Sequence, residues 1–152
     1  MFQVHQSTQD IVRVGPAQCG LGVFALCPFH VEELIGQVCG KLMTDPAYES
    51  EYCMEFGAGL AIEPLAPFRY VNHSCQPNCG LVEVEVEWDD DQPGQRELWL
   101  EALSEIATGE QLTIDYAWPA EVAVRCRCGS PDCRGWIVAK EQVDRPMGPK
   151  GE

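Results

Sequence analysis

Between Leu81 and Trp88 the chain reads "LVEVEVEW", in which Val82, Val84, Val86 and Trp88 alternate with Glu83, Glu85 and Glu87. A period of two sends successive side chains to opposite faces, so the pattern predicts a strand with its valine face in and its glutamate face wet. "DDDQPG" then turns the chain. The following "QRELWLEALSEIA" fits two templates. Leu98, Leu100 and Ala102 make a strand face, whereas Trp99, Leu103 and Ile106 make a helical stripe. "GVFAL", "GQVCGKLM" and "GLAIEP" read as further short strands. Gly and Pro punctuate the rest too often for long helices. The prediction is a mainly β domain of short strands with one or two short helices, free of repeats and low-complexity tracts. The final "EQVDRPMGPKGE" loses its apolar residues and reads as a frayed tail.

Composition narrows the setting. A chain of 152 residues suits one domain, and 45% hydrophobic with 22% charged residues is an ordinary soluble profile. No apolar run approaches the roughly 18 residues of a membrane span. "MFQVHQSTQD" lacks a basic start and an apolar h-region, so no secretory signal is visible, and the expected setting is intracellular and reducing. The net charge is −14, from 24 acidic and 10 basic residues. Phosphate neutralisation needs Lys and Arg, so nucleic acid is not the expected partner. The charge fits steering of a basic partner such as a Lys-rich tail, although charge alone is met more simply by solvated strand faces.

Nine cysteines cannot all pair, and in a reducing setting metal ligation is the usual alternative. "RCRCGSPDCRGW" brings Cys126, Cys128 and Cys133 close together with glycine between them, a knuckle able to wrap a tetrahedral Zn²⁺. No fourth ligand follows in the tail. It must come from elsewhere, and "RYVNHSCQPNCG" offers Cys75 and Cys79. Cys19, Cys27, Cys39 and Cys53 stand singly, often beside apolar residues, and are read with Cys79 as core.

Four segments now stand in order: "CGLGVFA" at 19–25, "RYVNHSCQPNC" at 69–79, "GEQLTIDY" at 109–116 and "CRCGSPDCRG" at 126–135. Together they resemble the SET-domain protein-lysine methyltransferases that carry a post-SET zinc segment. The resemblance covers roughly residues 10–138. It implies a SET domain over 10–118, a post-SET zinc segment over 119–138 and a flexible tail over 139–152. The implied fold is a set of small curved sheets with a C-terminal pseudoknot, an exception to the rarity of threading.

The resemblance also implies S-adenosylmethionine as cofactor and a lysine ε-amine, in a histone or another basic protein, as acceptor. Tyr116 and Tyr52 match the active-site tyrosines. Cys19, Gly20, Leu21, Gly22, Tyr52, Arg69, Tyr70, Asn72, His73 and Tyr116 would hold the cofactor, with Trp136 closing the adenine pocket. Cys75 matches the fourth zinc ligand beside Cys126, Cys128 and Cys133. The target peptide would add as a strand beside "AIEP". No membrane contact is implied, and the chain is expected to be a monomer. The sequence departs from the family in lacking a cysteine-rich pre-SET region, in a shortened stretch before Arg69, and in an aliphatic Ile114 where the family often has Phe or Tyr. A SET domain that binds a Lys-rich peptide without turnover is the second reading.

Overall fold

The computed structural model describes residues 8–45, 50–55, 60–86 and 95–148. A short helix, α1 (Thr8–Ile11), leads into β1 (Val12–Ala17), which folds back through a tight turn onto β2 (Gly20–Ala25). The turn needs Gly20, whose φ of +73° lies in the left-handed region. β3 (Leu34–Gln37) and β4 (Gly40–Met43) follow, where the sequence read one strand. The break falls at Val38–Cys39. Val38 is buried and its N–H donates to the Leu98 carbonyl at 2.7 Å, while β4 departs for another sheet.

β5 (Met54–Glu55) and β4 flank β6 (Ala61–Pro64) in a three-stranded sheet. The "AIEP" strand is therefore central, with β4 along its whole length and β5 against Ala61 and Ile62. An added peptide strand could pair with it directly only beyond Ile62 on the β5 side, because Ala61 and Ile62 already have partners on both sides. β7 (Asn72–His73) is brief; β8 (Cys79–Val86) and β9 (Gln95–Ala102) form the longest pair and join β3 in a second three-stranded sheet. The ambiguous run is thus a strand to Ala102, with Leu98, Leu100 and Ala102 buried.

The β8 alternation holds in exposure, with Val82, Val84 and Val86 half-buried and Glu83 and Glu85 exposed, while the deepest burial, at Cys79, lies on the other face at the start of the strand. Cys79 and Leu81 oppose Ala102 and Leu100 over the core, whereas Val82 opposes Trp99 on the outer face and stays half-buried with Val84 and Val86. Glu83 and Glu85 share the core-side face, but at the strand's far end, where Glu83 meets Arg96 at 3.8 Å. Trp88 and the "DDDQPG" turn lie outside the described residues.

The core gathers Val23, Val38, Phe68, Val71, Leu100, Ile106 and Leu112, all essentially inaccessible. Each such side chain stabilises the fold by about 1.5–3 kcal/mol. Of the cysteines read as core, only Cys79 is buried; Cys27 is half-buried against the core, Cys53 is half-buried, and Cys19 and Cys39 are exposed. β10 (Gln111–Ile114) then enters the first sheet between β2 and β7, antiparallel to β2 and parallel to β7. Asn78 clamps it: the side chain accepts from Thr113 N–H at 2.9 Å and donates to the Gln111 carbonyl at 2.8 Å.

The C-terminal segment adds the β11 (Val124–Arg125) and β12 (Trp136–Ile137) pair. Beyond it, the stretch read as a frayed tail folds back through Gly148. Ala139 N–H donates to the Trp118 carbonyl, Gly148 N–H to the Ala120 carbonyl, and Met147 packs on Ala120, Ala123 and Val138. Two backbone hydrogen bonds and the Met147 side chain dock it, which a composition window does not register. Among the described residues no helix is long and apolar enough to cross a membrane.

Candidate active site and metal centre

The parallel pairing of Thr113 with Asn72 and Ile114 with His73 brings two sequence motifs to one joint. There the Tyr116 hydroxyl donates to the Val71 carbonyl at 2.6 Å, and Tyr116 N–H donates to Nδ1 of His73 at 3.1 Å. A ring nitrogen that accepts carries no proton, so His73 is neutral with its proton on Nε2. Burial, the main influence, lowers its pKa in agreement. Its 3.7 Å approach to Asp115 is therefore no ion pair. Asp115 pairs instead with Arg134 at 2.8 Å. Burial is also the chief reason that the Tyr116 phenol is pushed up to about 12, with nearby negative charge at Tyr52, Glu51 and Cys19 adding to it. The phenol thus keeps its proton at neutral pH. That proton is committed to Val71, leaving the oxygen lone pairs to accept from a bound group.

Two cavities share Cys19, Asn72 and Tyr116 as wall residues. The smaller, about 220 Å³, lies between the joint (Asn72, His73, Thr113) and the C-terminal segment (Arg125, Cys126, Ile137). The larger, about 300 Å³, is lined by Tyr52, Tyr70, Tyr116 and Trp118 and by the Cys19–Leu21 turn. Gly22 makes the turn's approach possible. A Cβ there would stand 2.6 Å from Gln111 Oε1 and 3.2 Å from Asn72 Nδ2. Without it, Asn72 Nδ2 bridges the Leu21 carbonyl and Gln111 Oε1, each at 2.9 Å. Arg69 lies 3.9 Å over the Tyr52 ring and is held by Glu63 at 2.8 Å. The guanidinium thus fixes the ring's position by stacking.

Cys75, Cys126, Cys128 and Cys133 converge, with all four sulfurs within 4.8 Å of one another. Cys75 Sγ lies 3.8 Å from Cys126 Sγ and 4.0 Å from Cys133 Sγ. A tetrahedron with metal–sulfur bonds of about 2.3 Å has edges of about 3.8 Å, so the cluster fits one tetrahedral ion. Backbone N–H groups of Cys128, Arg134 and Gly135 donate to the sulfurs of Cys126, Cys75 and Cys133 at 3.3–3.4 Å, and His73 Nε2 stands 3.4 Å from Cys75 Sγ. Such donors favour thiolates. Burial holds the Cys75 and Cys126 thiols up and opposes the Cys128 thiolate too, but there hydrogen bonds led by Ser130 prevail and bring the pKa down to about 5.

Nearly every residue singled out in the sequence borders this region. Cys79 stays in the core, leaving Cys75 as the fourth thiol. Trp136 departs from expectation: it stacks under Arg125 at 4.3 Å and packs on Ala123 and Val138, while its neighbour Ile137 lines the smaller cavity. Ile114 is buried in the core and lines neither cavity. The sequence reading missed Trp118, Gln111, Asn78 and the Asp115–Arg134 pair. Trp118 carried a signal, standing two residues after Tyr116; its ring lies 5.4 Å from that tyrosine's.

Comparison with known proteins places this arrangement. The family described as SET domain matches residues 20–117. The histone-lysine N-methyltransferase ash1 of Drosophila melanogaster is 30% identical over 96% of this chain and 7% of its own length. The histone-lysine N-methyltransferase ASHR3 of Arabidopsis thaliana is 30% identical over 82% of this chain and 27% of its own. This chain therefore spans only a small part of these relatives. The crystal structure of KRYPTONITE in complex with mCHH DNA, H3(1-15) peptide and SAH aligns with a TM-score of 0.65 at 21% identity, over 83% of this chain and 29% of that one. Its fold is thus that of this chain, which belongs to the SET-domain family.

Proposed function

We propose that the protein transfers a methyl group from S-adenosylmethionine to a lysine ε-amine of a protein substrate. The observation that carries this reading is Tyr116, on the wall shared by two cavities with its phenol proton already committed. The names of the relatives support it, as does the SAH held by a structural neighbour. When bound, S-adenosylmethionine supplies an electrophilic methyl carbon. Its transfer would form an N–C bond to the amine as the C–S bond breaks, the C–S pair going to sulfur and a proton from nitrogen to solvent. The residues here bind and align. Cys19, Gly20, Leu21 and Gly22 offer backbone at close range. Arg69, Tyr70, Asn72 and His73 hold the cofactor, and the Tyr116 oxygen accepts from the amine or from the methyl C–H groups. Tyr52 lines the junction. Holding the reacting atoms about 3–3.5 Å apart in line supplies several kcal/mol of the barrier. The acceptor must be a neutral amine, whose ordinary pKa is about 10.4, and an aromatic cavity lowers it by desolvation.

In the same reading Cys75, Cys126, Cys128 and Cys133 hold one structural zinc ion. An all-thiol tetrahedral set suits zinc, and its binding releases the thiol protons. The acidic balance of 24 against 10 favours a basic substrate, such as a histone tail. Incubation with labelled S-adenosylmethionine and a panel of basic proteins tests the reaction. Label on lysine is the expected result. Cofactor binding without label on any of them would favour a peptide-binding module instead.

A further inference from the structure

The larger cavity carries two charged side chains, Glu51 and Arg69, among its aromatic ones. They differ in how their charge is met. Arg69 is compensated on the spot by Glu63 at 2.8 Å and by the Tyr52 face. Glu51 has no ion-pair partner among the described residues. Its place in the wall is set by a turn in which Tyr52 N–H donates to Ser50 Oγ at 3.1 Å and Cys53 N–H to the Ser50 carbonyl at 3.4 Å. Its field reaches Tyr116, where it adds to the effect of burial on the phenol.

A carboxylate without an ion-pair partner among the described residues, on a wall of four aromatic rings, suits one ligand class. The ring faces attract a cation through their quadrupoles, and the carboxylate supplies the counter-charge. We infer that Glu51 is a specificity-determining residue, the counter-ion that makes this cavity select an onium group. Two sources share that chemistry: the sulfonium of the cofactor and the ammonium of the target lysine, methylated or not. The identity of these cations rests on the methyl-transfer reading; the selection of a cation does not.

The test uses the full chain, its Glu51→Gln variant, which removes the charge and keeps the shape, and Glu51→Asp as the charge-conserving control. Affinities are measured for S-adenosylmethionine against SAH, which lacks the sulfonium charge. They are also measured for a lysine peptide against the same peptide with norleucine at the target position. Glu51→Gln should lose about fivefold of one charged-over-neutral preference, the upper end for an exposed ion pair, while binding of the neutral partner is unchanged. Glu51→Asp should restore part of it. A loss confined to the cofactor pair assigns the sulfonium. A loss confined to the peptide pair assigns the ammonium, as the form in which the lysine first binds, and then raises KM for peptide. Both ratios equal in parent and Glu51→Gln overturn the inference. A parent that methylates nothing while its cation preference still falls in Glu51→Gln sinks the methyl-transfer reading and leaves this one standing.

Discussion

The β7–β10 joint and the cysteine knuckle face each other across the smaller cavity, and different forces hold them. At the joint, Val71, Leu112 and Ile114 are buried in the main core and the strands pair through backbone hydrogen bonds. The C-terminal segment has a much smaller apolar cluster, Ala120, Ala123 and Val138, with Trp136 and Met147 against it. Polar and thiol ties fasten it to the body: the four-sulfur cluster reaching Cys75, the Asp115–Arg134 pair, and Gln76 to Asp132 at 2.8 Å. One wall of the cavity is therefore part of the main core, and the other is held by the four-thiol cluster and a few charges. The proposed function then makes cofactor binding there depend on the state of the knuckle.

Breaking the knuckle should give the largest effect. Cys75→Ser removes the one ligand that joins the segment to the body. Bound metal should be lost, residues 119–148 should become protease-sensitive, and turnover should fall at least about 10²-fold. The scale follows from the roughly 10–16 kcal/mol by which structural zinc couples to folding. The four-stranded body should keep its secondary structure by circular dichroism. Cys79→Ala, by contrast, should retain the metal and cost about 1–2 kcal/mol as a small core truncation. Equal metal content in Cys75→Ser and the parent would remove the distinction between the two walls.

At the joint, Tyr116→Phe takes away one oxygen and keeps the ring. Methyl transfer should drop by about 10²-fold, the scale of one positioned group. Stability should fall by only about 1 kcal/mol through the lost bond to Val71, and cofactor affinity should change less than the rate. The parent also has a raised phenol pKa, near 12 against 10.0. A raised folded-state pKa gives stability that is present below pH 10 and lost as pH rises through 12. The variant should lack that part of the alkaline loss. A variant damaged in melting temperature but normal in rate would reduce Tyr116 to core packing.

The ion pair should be worth less. Asp115→Asn leaves Arg134 without its carboxylate and should cost about 2 kcal/mol, read chiefly as easier detachment of the C-terminal segment. Arg134 already has a buried Nε with no partner. Adding Arg134→Met to Asp115→Asn should therefore recover part of the loss, because no unpaired charge remains. Strict additivity of the two substitutions would contradict this. The smallest effect concerns the acidic surface. Affinity for a Lys-rich peptide should weaken as salt rises, since exposed charges are screened beyond about 8 Å at physiological ionic strength. Salt-independent binding would argue against steering.

The sequence carried this contrast unevenly. The four-cysteine cluster was legible because thiols at close spacing have few other uses, and the four motifs in order identified the family. Strand periodicity located β8 and β9 and the exposure of Glu83 and Glu85, but not that β8 meets the core through Cys79 and Leu81, since a partner strand and a core must first fix the register. The docking of residues 139–148 was hidden because it rests on two backbone hydrogen bonds and the Met147 side chain, all to residues outside that stretch. Cys19 and Cys39 misled because cysteine's average burial says nothing about a residue at a turn. Asn78 bonds the β10 backbone and Gln111 accepts from the Asn72 side chain, contacts that only the insertion of β10 between β2 and β7 reveals.

The most direct test of the account is a single-turnover reaction of the metal-loaded protein with methyl-labelled S-adenosylmethionine and a basic protein, read by mass spectrometry, beside its Tyr116→Phe variant. The account predicts label on lysine Nζ, formed at least about 10²-fold more slowly by the variant at equal cofactor occupancy. Label at equal rates in both, or no label on lysine with the cofactor bound, would contradict it.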